Sequence, residues 1–219
     1  MKQEEDEGSA NGVFSLENTT RLIALTDGVF AIIMTLLILE VKVPQPDDHT
    51  PLDENLKKCA YELSIYFMSF LLAGVYWVSH RILFSNVKQL DNTLVWMNIF
   101  FLMFCSVIPF VAALLGNFPQ APMPLIMYGM LLTILAGMRL FLYIYITSQK
   151  HLLLKPIPKL RRKRILWVMT FAPIMFILSM SLAEVLPRIT LVIYAVTPII
   201  FATLITLVNR MRVTHHHHE

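Results

Sequence analysis

Residues 21–43 read RLIALTDGVFAIIMTLLILEVKV, and this stretch decides the class of the protein. It carries no charged side chain between Asp27 and Glu40. An α-helix rises about 1.5 Å per residue, so about 20 apolar residues cross the roughly 30 Å of hydrocarbon in a bilayer. The stretch therefore predicts a transmembrane helix over residues 22–43, ended by Pro44 because proline cannot continue a helix.

The same apolar pattern recurs along the rest of the 219 residues. Hydrophobic residues make up 56% of the chain, charged residues only 15%, and the mean hydropathy is +0.62. A water-soluble domain of this size could not bury so much apolar surface. The sequence therefore predicts an all-α polytopic membrane protein with six transmembrane helices. Their approximate ranges are 22–43, 58–84, 94–115, 123–147, 165–186 and 189–208.

The segments outside these spans are short. Residues 1–18 are polar and acidic and are predicted to form a disordered leader. Residues 19–212 form one six-helix transmembrane domain, and residues 213–219, with four consecutive histidines, are interpreted as the remnant of a purification tag. Since no segment is long enough for a separate catalytic domain, we expect the protein to act in or across the bilayer and not as an enzyme.

Several motifs of other protein classes are missing from the sequence. It has no phosphate-binding glycine loop, no His-Glu-x-x-His metal site and no Gly-x-Ser-x-Gly nucleophile elbow. We therefore expect no cofactor and no bound metal. The Thr-Val-Gly-Tyr-Gly filter that lines the usual potassium pores with carbonyl groups is also missing.

The distribution of positive charge predicts the orientation in the membrane. The strongly basic segment, residues 150–164, is expected to face the cytoplasm, because cytoplasmic loops are rich in Lys and Arg. Both termini then lie inside, with 13 of the 18 Lys and Arg residues inside, four outside, and Arg139 within the fourth span. We interpret the basic segment as an orientation determinant beside anionic headgroups and not as a nucleic-acid site.

Ionisable residues inside a span are candidates for function, because charge in the bilayer is costly. Arg21 and Asp27 lie at the inner end of the first span. Six residues turn a helix by about 600°, so their side chains point to different sides and need partners on other helices. His80 and Asn98 lie at the same depth. We therefore predict that these two residues form an interhelical polar network with Arg21 and Asp27. A packing role is the simpler interpretation, and direct proton or ion handling is the alternative.

One face of the first span is formed by Ile32, Thr35 (or Leu36) and Leu39, which recur at three- and four-residue spacing. Such a stripe is compatible with a face packed against lipid or protein. It is also compatible with a hydrophobic constriction, if several copies surround an axis. Periodicity alone does not choose between these.

Other polar and small residues of the spans have simpler interpretations. Arg139 is expected to play a structural role, by snorkelling inward or pairing within the bundle. Small residues on the fourth helix indicate close helix packing, and two glutamates near outer span ends are expected to be hydrated. Three tryptophans are expected to anchor spans at the cytoplasmic interface. The small residues are Gly129, Thr133 and Gly137, the glutamates are Glu62 and Glu184, and the tryptophans are Trp77, Trp96 and Trp167.

The first three spans carry motifs of a known family. Residues 21–27, RLIALTD, followed by GVFAI, resemble the Arg-x-x-x-Phe-Ser-Asp signature of the transmembrane protein 175 family, the endosomal and lysosomal potassium channels and their prokaryotic relatives. Residues 77–81, WVSHR, residues 90–98, LDNTLVWMN, and Pro109-Phe110 are similar to that family too. Leu25 stands where the signature has Phe, and Thr26, where it has Ser, keeps the hydroxyl.

The resemblance implies a potassium-selective cation channel without a carbonyl filter, in which the first helix of each subunit lines the pore. With one six-helix repeat per chain, it implies a homotetramer in a prokaryotic plasma (inner) membrane, with K⁺ as the permeant ion. The constriction then falls on the stripe of the first helix, and the polar network gains Thr26. The implied residues are Ile32, Thr35, Leu36 and Leu39 for the constriction, and Arg21, Thr26, Asp27, His80 and Asn98 for the network.

Other functions remain open at this stage. A proton- or ion-coupled secondary transporter using Asp27, His80 and Arg139 is the first alternative. A membrane scaffold without transport is the second, and an intramembrane enzyme is the third.

Overall fold

A computed structural model describes the backbone of residues 2–43, 51–118 and 121–210, and the side chains of residues 17–43, 51–118 and 121–204. These residues form helices, joined by turns and one isolated β-bridge between Val87 and Leu153. The elements are α1 (Lys2–Leu39), α2 (Leu52–Phe84), α3 (Asn92–Cys105), α4 (Ile108–Asn117), α5 (Pro122–Ser148), a 3₁₀ turn (Lys150–Leu152), α6 (Lys159–Met180) and α7 (Pro187–Arg210).

The predicted fold class is confirmed. Within the described chain, six helical segments are long and apolar enough to cross a membrane, and each overlaps one predicted span. They are Glu17–Leu39, Leu52–Phe84, Asn92–Asn117, Pro122–Ser148, Lys159–Met180 and Pro187–Leu204.

The N-terminal segment differs from its prediction. Residues 1–18 are predicted to be disordered, but the backbone is helical from Lys2 onward and continues into the first span. Glu, which occurs four times there, and Lys2, Gln3 and Ala10 all favour helix. A helix that is already nucleated by the span adds further residues at low cost. The predicted tag remnant, residues 213–219, lies outside the described residues.

The third span is two helices and not the single helix predicted over residues 94–115. Helix α3 ends at Cys105, and α4 begins at Ile108 after a turn at Ser106 and Val107. The cause is Pro109, which has no backbone N–H to donate and whose ring clashes with the carbonyl four residues earlier.

The basic segment also differs from its prediction as a loop over residues 150–164. Its second half, from Lys159, forms the first turns of α6. Its first half is tied to the loop between α2 and α3, where the Lys88 amide donates to the Leu152 carbonyl at 2.7 Å and the Leu154 amide donates to the Asn86 carbonyl at 2.9 Å.

At the other end of the bundle, Pro187 begins α7, a position that suits proline because the first amide of a helix has no internal partner.

Helix α5 lies at the centre of the bundle and packs against α3, α4, α6 and α7, whereas α1 packs against α2, α3 and α4. Tyr128 of α5 is fully buried, and its hydroxyl lies 2.9 Å from that of Ser69 on α2. Gly129 confirms the predicted close approach, because a Cβ atom there would collide with the Tyr194 hydroxyl. Gly137 is not at a close approach between helices, because a Cβ atom there would meet nothing within 4 Å.

Candidate functional site: the first helix and its polar anchor

Helix α1 has two distinct faces within the bilayer. Leu22, Thr26, Phe30, Ile33 and Leu37 recur every three or four residues and are buried, none of them more than 6% exposed. This spacing places them on one side of the helix, against α2, α3 and α4. The first helix therefore packs on its own subunit along a mostly apolar stripe that includes the Thr26 hydroxyl.

That hydroxyl belongs to a polar cluster of three helices, which we call the anchor: Thr26 of α1, His80 of α2 and Asn98 of α3. The Asn98 amide nitrogen donates to the Thr26 oxygen at 3.1 Å, and the Thr26 hydroxyl donates to the Leu22 carbonyl at 3.0 Å. The remaining Asn98 oxygen lies 2.6 Å from Nε2 of His80. Because that oxygen can only accept, the proton lies on Nε2 in this arrangement.

Aromatic rings hold the His80 imidazole in place. It stacks on Phe84 with ring centres 4.2 Å apart and on Phe101 with ring centres 5.7 Å apart, and both pairs are nearly parallel. His80 is 3% exposed and Asn98 is fully buried. In so dry a setting an unpaired polar group is costly, so this bonded chain fixes α1, α2 and α3 in one arrangement.

Two residues predicted to join this network lie outside it. Asp27 is exposed, and its carboxylate accepts a 2.7 Å hydrogen bond from the Trp77 indole, over which the Arg81 guanidinium lies at 5.7 Å. Arg21 is exposed, and among the described side chains no hydrogen bond or ion pair joins it to the anchor. Asp27 and Thr26 are neighbours in sequence, and the 100° turn between them sends their side chains to different partners.

Trp77 was not predicted to be the partner of Asp27. As an isolated tryptophan near the end of a span, it indicates an interfacial anchor, which is the role predicted above. A half-buried indole N–H nevertheless needs an acceptor, and Asp27 supplies one. The need of the indole N–H for an acceptor was the feature of the sequence that could have predicted its bond to Asp27.

The predicted stripe lies on the other side of α1. Ile32 is 59% exposed, Leu36 43% and Leu39 73%. At about 100° per residue, Ile32, Thr35 and Leu39 point about 120° to 180° away from Thr26, while Leu36 lies nearer the buried face. The Thr35 hydroxyl shares its one proton between the carbonyls of Ala31 and Ile32, at 3.0 and 2.9 Å, and its oxygen keeps the capacity to accept a hydrogen bond.

The three residues of the transporter alternative do not meet. His80 is bonded to Asn98, Asp27 to Trp77, and Arg139 to the Ser79 hydroxyl at 3.0 Å. Over the described ranges, no hydrogen bond or ion pair joins any two of them. The same ranges contain no group of three His, Cys, Asp or Glu side chains placed to hold a metal ion.

The two glutamates predicted to be hydrated differ from each other. Glu184 is exposed. Glu62 is only 7% exposed and accepts a 3.3 Å hydrogen bond from the backbone amide of Lys42. It also lies beside Gly116, where an added Cβ atom would make ordinary van der Waals contact with its side chain. Burial of Glu62 depends on how α2 packs on α4, which its position near the end of a span does not reveal.

Comparison with known proteins shows what these spans are similar to. Residues 21–109, which contain the stripe and the anchor, match the sequence model of the endosomal/lysosomal potassium channel TMEM175. The chain is 35% identical over 109 residues to a potassium channel of Chryseobacterium sp. and 37% identical over 103 residues to a potassium channel of Streptomyces collinus. These alignments cover 50% and 47% of the chain, and 55% and 50% of the two relatives, so they span about half of each curated relative.

The fold has a close counterpart among solved structures. A crystal structure of a lysosomal potassium-selective channel TMEM175 homolog from Chamaesiphon minutus superposes with a TM-score of 0.75 at 28% sequence identity. The match covers 85% of this chain and 97% of that one. The resemblance inferred from the first three spans is therefore confirmed. All of these proteins carry channel names, which agrees with the prediction that the chain is not an enzyme.

Proposed function

Since this chain is related to the TMEM175 family by its fold and by the sequence of its first three spans, we propose that it is a potassium-selective cation channel. In this proposal, the pore is lined by the first helix of each subunit, and selectivity arises at a hydrophobic constriction. The permeant ion is K⁺, and no cofactor takes part.

One observation carries the proposal: the two faces of α1 are built differently. The face that contains Thr26, Phe30 and Leu37 is buried and tied to α2 and α3 through the anchor. The face that contains Ile32 and Leu39 is exposed from Arg21 to Leu39. A helix held firmly on one side and bare on the other is suited to line an axis shared with other copies.

Four copies around such an axis would form stacked apolar rings from Ile32, Thr35 or Leu36, and Leu39. Ions cross an apolar ring only after losing part of their hydration shell. K⁺ holds its water less tightly than Na⁺, so the ring passes K⁺ more readily without any carbonyl filter. The lone pair of the Thr35 oxygen offers partial replacement for the lost water beside the ring.

The chain carries one six-span repeat, and we propose that it assembles as a homotetramer in a prokaryotic plasma membrane. The excess of Lys and Arg on one side of the spans, 13 against four, favours cytoplasmic termini. In this assembly the anchor acts as a scaffold, because it fixes α1 within its own subunit and thereby sets the radius of the ring.

The experiment that tests this proposal is a bilayer recording with purified protein under opposed KCl and NaCl gradients. Wild type should show unitary currents with a reversal potential displaced towards the K⁺ equilibrium value. Ile32→Asn should reduce that displacement, because a polar ring lets ions keep their water. The matched control is Ile38→Asn, on the same helix at an exposed position turned about 120° to the other side.

The outcomes separate the alternatives. If Ile32→Asn leaves the reversal potential unchanged, or if Ile38→Asn alters it equally, the constriction does not lie on the stripe. Slow, saturable, pH-dependent uptake without unitary steps would indicate a coupled transporter instead.

A further inference from the structure

A second polar region of the protein lies apart from the anchor and the stripe. It is a cavity of about 560 Å³ at the end of the bundle that carries the basic segment. We call it the inner cavity; its walls come from α2, α5, α6, α7 and the segment before α6. Its polar lining residues include Ser79, Arg139, Tyr143, Lys155 and Arg161.

The most unusual of these residues is Arg139. Its side chain is 3% exposed, yet within the described chain no carboxylate lies within ion-pairing distance of it. One guanidinium nitrogen donates to Ser79, and the Phe201 ring covers the guanidinium at 3.7 Å. Its Nε atom is buried without a hydrogen-bond partner. A buried cation with no counter-ion and an unpartnered N–H is costly, so an anion placed in the cavity would relieve a large penalty.

Tyr143 gives a second, independent sign of a missing partner. Its hydroxyl is buried and accepts or donates no hydrogen bond among the described residues. It lines the same cavity as Arg139, one turn further along α5. Two unsatisfied buried groups on one wall of one cavity indicate a site built for a polar ligand rather than an accident of packing.

The inner cavity adjoins an apolar groove. This groove, about 610 Å³, lies between α1, α2 and α7 and shares Ser79, Ile82 and Phe201 with the inner cavity. Its other walls are mostly apolar, and they include Leu71 and Val78, whose side chains are 57% and 48% exposed on the outer surface of α2. A molecule occupying both spaces needs an anionic head and an apolar tail.

We propose that the two spaces together bind an anionic phospholipid of the inner leaflet. The phosphate lies against Arg139, Tyr143 and Lys155, and an acyl chain lies in the groove beside Phe201. Basic pockets between helices on the cytoplasmic side are where such headgroups bind. The uncapped start of α6, two residues after Ile157 in the cavity wall, adds a favourable helix dipole. A free phosphate would use the head site alone, so the groove selects the lipid.

The test is lipid binding to the full protein in detergent, followed by native mass spectrometry and by the shift in melting temperature on titration. Phosphatidylglycerol is the probe, phosphatidylcholine tests the need for negative charge, and inorganic phosphate tests the free anion. Lys155→Gln should weaken phosphatidylglycerol binding about fivefold, as expected for the loss of one positive charge near a headgroup. Tyr143→Phe should weaken it without altering charge.

The matched control is Lys163→Gln, which removes the same charge from an exposed position of α6 outside the cavity lining. It should bind phosphatidylglycerol as wild type does. Equal losses in Lys155→Gln and Lys163→Gln would overturn the site in favour of diffuse surface charge. Equal binding of the two lipids, or a thermal shift with inorganic phosphate as large as that with phosphatidylglycerol, would also overturn the proposal.

Discussion

The anchor and the inner cavity are both polar, both buried and both formed where α2 meets other helices, but they differ in how their polar atoms are paired. In the anchor, the side-chain oxygen and amide of Asn98 are bonded to His80 and Thr26. In the inner cavity, Arg139 and Tyr143 keep buried polar atoms that have no hydrogen-bond partner among the described residues. The difference teaches that burial alone does not identify a binding site. A polar group satisfied within the chain fixes structure, whereas one left unsatisfied indicates a ligand.

The largest effect is expected when the central residue of the anchor is removed, which tests whether the anchor fixes the structure. Asn98→Ala leaves the His80 N–H and the Thr26 oxygen unpaired in a dry site. We expect a loss of about 3 kcal/mol in the free energy of unfolding, since each buried unpaired group costs about 1–3 kcal/mol. Reversible unfolding by SDS in mixed micelles measures it. Asn92→Ala, at the exposed start of α3, is the control and should change little; similar losses in both would remove the anchor's structural role.

The second prediction concerns the inner cavity. Arg139→Met replaces a buried cation with an apolar side chain of similar length. In lipid-free micelles we expect stability within about 1 kcal/mol of wild type, because the lost contacts to Ser79 and Phe201 are offset by the removal of a desolvated charge. Phosphatidylglycerol should then stabilise wild type more than the variant. A loss as large as that of Asn98→Ala, with or without lipid, would mean that Arg139 is as structural as Asn98.

The smallest effect is expected at the bond between Asp27 and Trp77, which is hydrogen-bonded but not buried. Trp77→Phe should cost about 0.5 kcal/mol in the same unfolding assay, because water or headgroups can take over an exposed hydrogen bond. Trp96→Phe, at an exposed site of α3, provides the comparison. A cost above that of Asn98→Ala would reverse the ranking and move the fixed point of α1 from the anchor to Asp27.

The sequence predicted those parts of the fold that depend on local information. A run such as residues 28–39 is apolar whatever surrounds it, so all six spans were correctly found. Pro109 is also local, and the break in the third span could have been read from it. The helical start at Lys2 and the early start of α6 at Lys159 were missed because polar residues were taken to mean loop or disorder.

The site was less predictable, because its contacts depend on helix rotation and on pairing between distant segments. His80 and Asn98 were placed at one depth from the residues alone, Thr26 was added by the resemblance, and the structure brings the three together. Depth did not reveal that Asp27, one residue later, would face Trp77. Nothing near Arg139 in sequence indicates Ser79 or Phe201, which are 60 and 62 residues away. Such contacts arise only when α2, α5 and α7 pack.

The antiparallel bridge between Val87 and Leu153 has a practical consequence for engineering. The loop between α2 and α3 is joined backbone to backbone to the loop before α6, and the Asn86 side chain adds a 3.0 Å hydrogen bond to the Lys155 carbonyl. The lengths of the two loops are therefore not independent. A reporter or affinity sequence inserted in either loop would disrupt the bridge that joins them. The turn over residues 181–186, at the opposite end, is held by bonds within itself and to the adjoining helices, and is the better place for such an insertion.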